Sequence, residues 1–363
     1  MKGLKIGDLN IKVPIIQGGM GIGISMSRLA SAVANMGGVG IISSVGIGLT
    51  DQIKSVSYKR RNIEVLRNEI RKAKGLSKGV IGVNIMSVIT DFSDMVKTSI
   101  EEGIDIIFSG AGLPLDLPKY LPNGSNTKLV PIVSSGRAAN ILCTKWKQNY
   151  NYLPDALVVE GPKAGGHLGF KATALQEIGN TLENLVAEVV KVTKDIKERY
   201  SLDIPVIAAG GIFTGGDMFN IMNKGAAGVQ LGTRFVATRE CDASDEFKNA
   251  FIKAKEKDIR IIKSPVGMPG RTIFNKFLDE ANLGKRRPKA CKHNCIRSCD
   301  PKTTSYCISE ALFEAYKGNL DDGFVFTGAN AGRIDKITSV REIINELTEE
   351  YEICSLELKS ANK

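Results

Sequence analysis

Eight short apolar segments recur along the first two thirds of the chain, and helical patterns of apolar residues lie between them. The segments are 13–17, 39–42, 80–84, 105–108, 129–133, 156–160, 205–209 and 228–231. Strands that are apolar on both faces are expected where helices cover both sides of a parallel sheet. An eightfold β/α alternation predicts an α/β protein with a closed (β/α)8 barrel, the TIM barrel. An open, doubly wound sheet is the alternative, since it could use most of the same segments.

Two regions depart from this repeat. Residues 46–78 form a long insertion after the second segment, with a charged helical pattern over 53–74. From about residue 238 the strand signal fades, and the remaining chain is polar and helix-prone. We therefore predict a barrel domain over 1–238 and a mainly helical C-terminal cap over 239–363, with a cysteine-rich segment at 291–307. A barrel domain of this kind takes about 250 residues.

A glycine pair follows the seventh predicted strand and a Gly-Thr pair follows the eighth, and together they indicate a phosphate site. Gly210 and Gly211 end the seventh strand, and Gly232 and Thr233 end the eighth. Glycine allows a ligand to approach the backbone closely, and main-chain N–H groups with a helix N-terminus favour a dianion. Adjacent late strands of a barrel commonly build such a site. The alternative is that these residues only form tight turns.

A histidine in a glycine-rich loop after the sixth strand is the candidate catalytic residue. His167 is one of only two histidines, and it follows Gly165 and Gly166. An imidazole here could donate a hydrogen bond to an oxyanion or act as an acid or base near neutral pH. The sequence leaves these roles open, and a loop histidine that caps backbone groups is the alternative.

The ends of the first and third predicted strands carry the next candidates. Gly18 and Gly19 would let a flat aromatic ring lie against the backbone, with Met20 as a soft apolar contact. Asn84 ends the third strand and could bond a ring carbonyl or nitrogen, or simply cap a turn.

These motifs together resemble the nitronate monooxygenase family (formerly 2-nitropropane dioxygenases) and its relative enoyl-acyl carrier protein reductase II. The motifs are PIIQGGM, GVNI, SGAG, EGPKAGGHLG, AAGGI and QLGTRF, in order over roughly residues 10–240. The resemblance implies an FMN-dependent barrel with His167 at the active site. The FMN contacts that it implies are Gly18, Gly19, Met20, Asn84, Glu160, Gly165, Gly166, Gly210, Gly211, Gln230, Gly232 and Thr233.

Three departures from the family pattern leave the substrate open, and one of them is that the cysteine-rich cap is not part of the best-known members' pattern. Many relatives carry Ala-Pro-Met where this chain has Gly18-Gly19-Met20, and several monooxygenases carry Gln at the position of Glu160. The resemblance favours oxidation of alkyl nitronates to carbonyl compounds and nitrite. The alternative is an NAD(P)H-dependent reductase of enoyl thioesters or quinones. A flavin-free barrel that binds a phosphorylated metabolite is a third hypothesis.

The net charge of the chain and the distribution of its basic residues indicate which molecules it could bind. The chain has 49 basic and 39 acidic side chains, a formal charge of +10, but the basic residues are dispersed. We therefore expect no nucleic-acid partner, and the positive surface suits a small anionic substrate or an acidic carrier protein.

No segment has the roughly 20 apolar residues of a membrane helix, and the N-terminus lacks a signal-peptide pattern. A cytoplasmic protein with no membrane association is expected, and a homodimer is compatible with the sequence.

Four of the seven cysteines cluster near the end of the chain. Cys291, Cys295, Cys299 and Cys307 lie within 17 residues, with His293 among them. Such a set could ligate zinc or an iron–sulfur cluster, although the spacing is not that of common zinc sites. If 290–299 is helical, the first three thiols share one face and would pack as small apolar groups. We predict thiols without a metal, and structural roles for the isolated Cys143, Cys241 and Cys354.

Overall fold

The computed structural model describes residues 1–51 and 56–361. The strands are β1 (Leu4–Ile6), β2 (Leu9–Ile11), β3 (Ile15–Gln17), β4 (Val39–Ser43), β5 (Val80–Met86), β6 (Ile106–Gly110), β7 (Lys128–Val133), β8 (Leu157–Glu160), β9 (Gly166–His167), β10 (Val206–Ala209), β11 (Gly228–Leu231), β12 (Ile259–Lys263), β13 (Pro269–Ile273) and β14 (Val325–Phe326). The α-helices are α1 (Ser27–Asn35), α2 (Tyr58–Leu76), α3 (Phe92–Glu101), α4 (Gly136–Tyr150), α5 (Leu182–Tyr200), α6 (Gly215–Asn223), α7 (Thr233–Val236), α8 (Asp245–Lys253), α9 (Lys276–Asn282), α10 (Ile308–Tyr316) and α11 (Val340–Ala361). Short 3-10 helices cover Ile47–Thr50, Leu117–Tyr120, Thr173–Gln176, Glu256–Asp258 and Ala331–Arg333.

Eight parallel strands close into a barrel, as predicted. The order around it is β3, β4, β5, β6, β7, β8, β10 and β11, and β11 pairs with β3 through Val229↔Ile15 and Leu231↔Gln17. Each of these strands coincides with one of the eight predicted segments. The closing pairs exclude the open sheet, which would leave two strands with unpaired edges.

The barrel interior is filled by side chains, and an N-terminal hairpin adds to the same cluster. Ile16, Ile41, Phe108 and Ile207 are at most 1% exposed and belong to one apolar cluster. Hairpin β1–β2 contributes Leu4, Ile6 and Ile11 to that cluster. Because side chains fill the barrel interior, we expect the active site in the loops at the carboxyl ends of the strands.

The outer helices form where amphipathic spacing and capping residues agree. In α5 the buried residues Leu185, Val186, Val189, Thr193 and Ile196 lie on one face. Thr214 caps α6 in a reciprocal pairing with Asp217. The charged helix expected over 53–74 is α2, Tyr58–Leu76, and the part of the expectation at 53–55 lies outside the described residues.

The C-terminal segment contains sheet as well as the predicted helices. β12, β13 and β14 form an antiparallel sheet, and β13 also pairs with β9 through Gly270↔His167 and Arg271↔Gly166. These three strands are not among the predicted elements, because the strand signal fades from about residue 238. They are short, and β12 is only partly buried, so their sequences lack the apolar pattern of the barrel strands. Helix α11 packs beside α6, where Glu350 accepts a hydrogen bond from the Gly215 N–H at 2.6 Å.

Candidate active site

A large cavity lies at the carboxyl ends of the barrel strands. Its volume is about 1120 Å³. All thirteen candidate residues line it: Gly18, Gly19, Met20, Asn84, Glu160, Gly165, Gly166, His167, Gly210, Gly211, Gln230, Gly232 and Thr233. Loops that are far apart in the sequence therefore meet at one site, because the parallel strands all end on the same side of the barrel.

Hydrogen bonds with the side chains of Gln17 and Ser25 hold the backbone of the turn after β3. The Gln17 amide donates to the Gly18 carbonyl at 2.7 Å and to Ser25 Oγ at 2.8 Å. Ser25 Oγ in turn accepts from the Met20 N–H at 2.9 Å. Gly19 packs so closely on Asn84 that a Cβ would lie 2.3 Å from the Asn84 Cβ. Only glycine fits here, and its backbone together with the amide of Asn84 forms one wall of the cavity.

The glycine pair after β10 adopts a backbone that other residues rarely take. Gly210 has φ +94° and Gly211 has φ +95°. Gly232 and Thr233, after β11, lie on the neighbouring strand end, since β10 and β11 are paired. The two turns that the sequence predicted as a phosphate site are therefore adjacent.

A C-terminal segment, residues 328–330, covers these turns, and no sequence motif pointed to it. The Gly328 N–H donates to Thr233 Oγ1 at 3.1 Å, and the Asn330 amide donates to the Gly211 carbonyl at 2.8 Å. The Ala329 N–H also donates to the Lys163 carbonyl at 3.1 Å. The only sequence signal was the small-residue run at 327–332, TGANAG, which lies far from the barrel motifs.

Arg271 fixes the loop that carries His167. Its guanidinium donates to the carbonyl oxygens of Pro162, at 2.9 Å, and Ala164. Burial lowers the pKa of this group. Because a planar guanidinium bridges two acceptors in a fixed geometry, Arg271 holds the main chain just before Gly165.

The imidazole of His167 is held by Ser264 and Phe326. Nε2 lies 2.7 Å from Ser264 Oγ, and the ring meets the Phe326 ring edge to face at 4.9 Å between centroids. Desolvation by burial lowers the pKa of His167 to about 4. The imidazole is therefore neutral at physiological pH and a weak base. Ser264 and Phe326 had no signal in the sequence, since both come from the C-terminal sheet.

Glu160, at the end of β8, is the only carboxylate among the described residues that line the cavity. Desolvation by burial raises its pKa to about 7. Three exposed lysines, Lys163, Lys171 and Lys263, also line the cavity. The cavity is therefore electropositive and attracts anionic ligands.

The cysteine-rich segment folds irregularly rather than as a helix, so the expected shared face of 290–299 does not form. Cys291 is exposed, whereas Cys295, Cys299 and Cys307 are partly buried, and burial raises the pKa of each of these three thiols. Cys295 Sγ lies 3.0 Å from Ser309 Oγ. Across residues 1–51 and 56–361, no three His, Cys, Asp or Glu side chains are grouped so as to hold a metal ion.

The isolated cysteines differ in burial. Cys143 and Cys241 are buried and Cys354 is partly buried, and burial raises the pKa of Cys143 to about 12 and that of Cys241 to about 11. In the described part of the chain, no helix has the length and apolar character needed to cross a membrane.

The closed barrel, the two adjacent glycine-containing turns and the histidine loop define a class, the TIM-barrel proteins that bind their ligands at the carboxyl ends of the strands. Comparison with known proteins then gives the family. The nitronate monooxygenase family model matches residues 2–350, and the chain belongs to this family. The family consists of FMN-dependent oxidoreductases in general, and the chain is an oxidoreductase enzyme of this family.

The relatives cover most of the chain at moderate identity. A Mycobacterium tuberculosis protein named (3aS,4S,5R,7aS)-5-hydroxy-7a-methyl-1-oxo-octahydro-1H-indene-4-carboxyl-CoA dehydrogenase is 29% identical over 93% of each chain. A Staphylococcus saprophyticus protein named as a probable nitronate monooxygenase is 28% identical over 76% of this chain and 79% of its own length. The solved structure of FabK from Thermotoga maritima superposes with a TM-score of 0.74 at 29% identity, covering 97% of this chain and 96% of FabK.

Proposed function

We propose that the protein binds FMN and oxidises alkyl nitronates to carbonyl compounds and nitrite, with molecular oxygen as the co-substrate. The observation that carries this proposal is a neutral, partly buried His167 that lines an electropositive cavity beside two adjacent glycine-containing turns. A neutral imidazole can donate a hydrogen bond to an anion, and the three lysines favour entry of a negatively charged substrate.

The residues present fit a mononucleotide flavin. Gly210, Gly211, Gly232 and Thr233 would hold the phosphate, since glycine backbones and a hydroxyl converge there. Gly18, Gly19 and Asn84 would lie along the ring, where the Gly19–Asn84 contact leaves no room for a side chain. When bound, the flavin would supply the redox chemistry, and the protein would supply orientation and electrostatics.

His167 is better suited to binding a nitronate than to deprotonating a nitroalkane. With a pKa of about 4, the ring is a weak base near neutral pH. A hydrogen bond to the nitro oxygens would instead hold the anion in place, and the loss of one such donor costs about 10²-fold in turnover. We therefore expect the nitronate anion to be a far better substrate than the neutral nitroalkane.

The test begins with purified protein, whose visible spectrum should show bound oxidised flavin. Mixing with propyl-2-nitronate without oxygen should bleach this absorption, and turnover in air should release nitrite. His167→Ala should lower turnover about 10²-fold at unchanged flavin content, whereas His293→Ala, at the only other histidine, should not. Full activity in His167→Ala would remove this residue from the mechanism.

A second candidate function is reduction or dehydrogenation of an acyl thioester. An acyl thioester would bind in the same cavity as the proposed flavin, which has a volume of about 1120 Å³. Exposed Leu113 and Ile261 lie among its lining residues together with the lysines, which would suit an acyl chain with an anionic carrier. The M. tuberculosis relative, named for a CoA thioester, is consistent with this function.

One comparison separates the two candidates. Bleaching of the flavin by NADH or NADPH, followed by consumption of an enoyl thioester and no reaction with nitronate, would favour the second candidate. Bleaching by nitronate with nitrite release would favour the first. A colourless protein that FMN does not reconstitute would contradict both.

A further inference from the structure

Ser264 contacts His167 from outside the cavity. It lies between β12 and β13, is 2% exposed, and places Oγ 2.7 Å from His167 Nε2. His167 lines the cavity whereas Ser264 does not. Within the described residues the imidazole makes no other hydrogen bond. Nδ1 is therefore the ring nitrogen left to meet a ligand.

The surroundings of Ser264 decide which group donates in this contact. A hydroxyl has one proton to donate and can accept two hydrogen bonds. Ser264 Oγ already accepts a long bond from the Val266 N–H, at 3.4 Å. If Nε2–H also donated to Oγ, the serine proton would need a third partner, and none is present among the described residues. A buried hydroxyl proton without an acceptor is costly. The serine therefore donates, and Nε2 accepts.

We infer that Ser264 is a positioning residue that donates to Nε2 of His167, holds the ring proton on Nδ1, and so makes the imidazole a hydrogen-bond donor toward the cavity. The direction of one hydrogen bond fixes which ring nitrogen is protonated. Pairing of β9 with β13 and the edge-to-face contact with Phe326 keep the ring in this orientation. This assignment of the tautomer does not depend on the ligand. That the Nδ1–H donates to a nitronate or a thioester oxygen rests on the proposed function.

The histidine content makes a direct measurement simple. The chain has two histidines, so protein labelled with ¹⁵N-histidine gives two imidazole signal sets, assigned by His167→Ala and His293→Ala. At pH 7 we expect His167 to show a protonated Nδ1 and an unprotonated, hydrogen-bonded Nε2. A protonated Nε2 in the wild-type protein would overturn the inference.

Serine variants give the matched test. Ser264→Ala should shift His167 toward the Nε2-protonated form, and Ser264→Thr, which keeps the hydroxyl, should restore the wild-type signals. Ser99→Ala removes an equally buried hydroxyl from α3, and it should leave His167 unchanged. An unaltered His167 spectrum in folded Ser264→Ala protein would overturn the inference.

The steady-state kinetics of Ser264→Ala give a second readout, which is independent of the NMR spectrum. Ser264→Ala should lower kcat roughly 10- to 100-fold, the loss typical when the group that orients a metal-ligating histidine is removed, with little change in KM. If the tautomer shifts as expected but no nitronate or thioester is turned over by the wild type, the proposed function fails and the assignment of Ser264 stands. If turnover is present and the spectrum does not shift, the assignment fails alone.

Discussion

Replacing Gly232 with alanine should weaken FMN binding without destabilising the apoprotein. A Cβ at this position would touch only Met20, 3.7 Å from its Sδ. The backbone at φ −104° and ψ −61° is open to any residue. The added methyl group would therefore occupy space that the structure leaves for a ligand. Gly211→Ala cannot separate FMN binding from the stability of the apoprotein. Gly211 has a positive φ, and an added Cβ would lie 2.9 Å from the Cβ of Lys163, so the substitution would strain the protein itself.

The magnitude follows from the cost of overpacking. Inserting a methyl group against a close-fitting partner costs about 1–3 kcal/mol, which corresponds to a roughly 5- to 150-fold rise in the Kd for FMN. The apoprotein should be unchanged or more stable by about 0.4–1 kcal/mol, because alanine restricts the unfolded chain.

The assay is titration of apoprotein with FMN, followed by quenching of flavin fluorescence, beside urea unfolding of the same preparation. Gly75→Ala is the matched control, since Gly75 is exposed in α2 and a Cβ there meets nothing within 4 Å. This control should keep the wild-type Kd. An FMN affinity for Gly232→Ala within twofold of wild type would refute the placement of the phosphate.

Three further predictions concern other parts of the molecule. Burial raises the pKa of Glu160 from 4.5 to about 7. Between these pH values Glu160 is protonated in the folded chain and ionised in the unfolded chain. The free energy of unfolding therefore falls as the pH rises. Glu160→Gln apoprotein should match wild type near pH 4 and exceed its free energy of unfolding by roughly 3 kcal/mol at pH 8 in urea unfolding; equal stability at both pH values would contradict this. Arg271→Lys should lower the free energy of unfolding by about 1–2 kcal/mol, because lysine cannot bridge the Pro162 and Ala164 carbonyls; an unchanged urea midpoint would show that these carbonyls find other donors. Dialysis against EDTA should leave Tm unchanged, since the described cysteines form no metal site; a lower Tm with release of stoichiometric zinc or iron would refute the thiol interpretation.

The barrel and most of its candidate site could be predicted from the sequence because both depend on local patterns. A strand such as Val80–Met86 is apolar along its length, which indicates burial on both faces. The glycine turns at Gly18, Gly210 and Gly232 follow strand ends, and parallel strands bring all their carboxyl ends to the same rim. Strand number, site location and the choice of His167 follow from these patterns together with the family motifs.

The groups that set the chemistry of that histidine were decided by the tertiary structure alone. Ser264 and Phe326 reach His167 from 97 and 159 positions away, through a sheet whose strand β9 has only two residues. Gly328 and Asn330 likewise reach the predicted phosphate turns from the C-terminal segment. A local pattern records which face of an element is buried, but not which distant residue meets it. The protonation and orientation of His167 therefore depend on partners that only folding brings into contact.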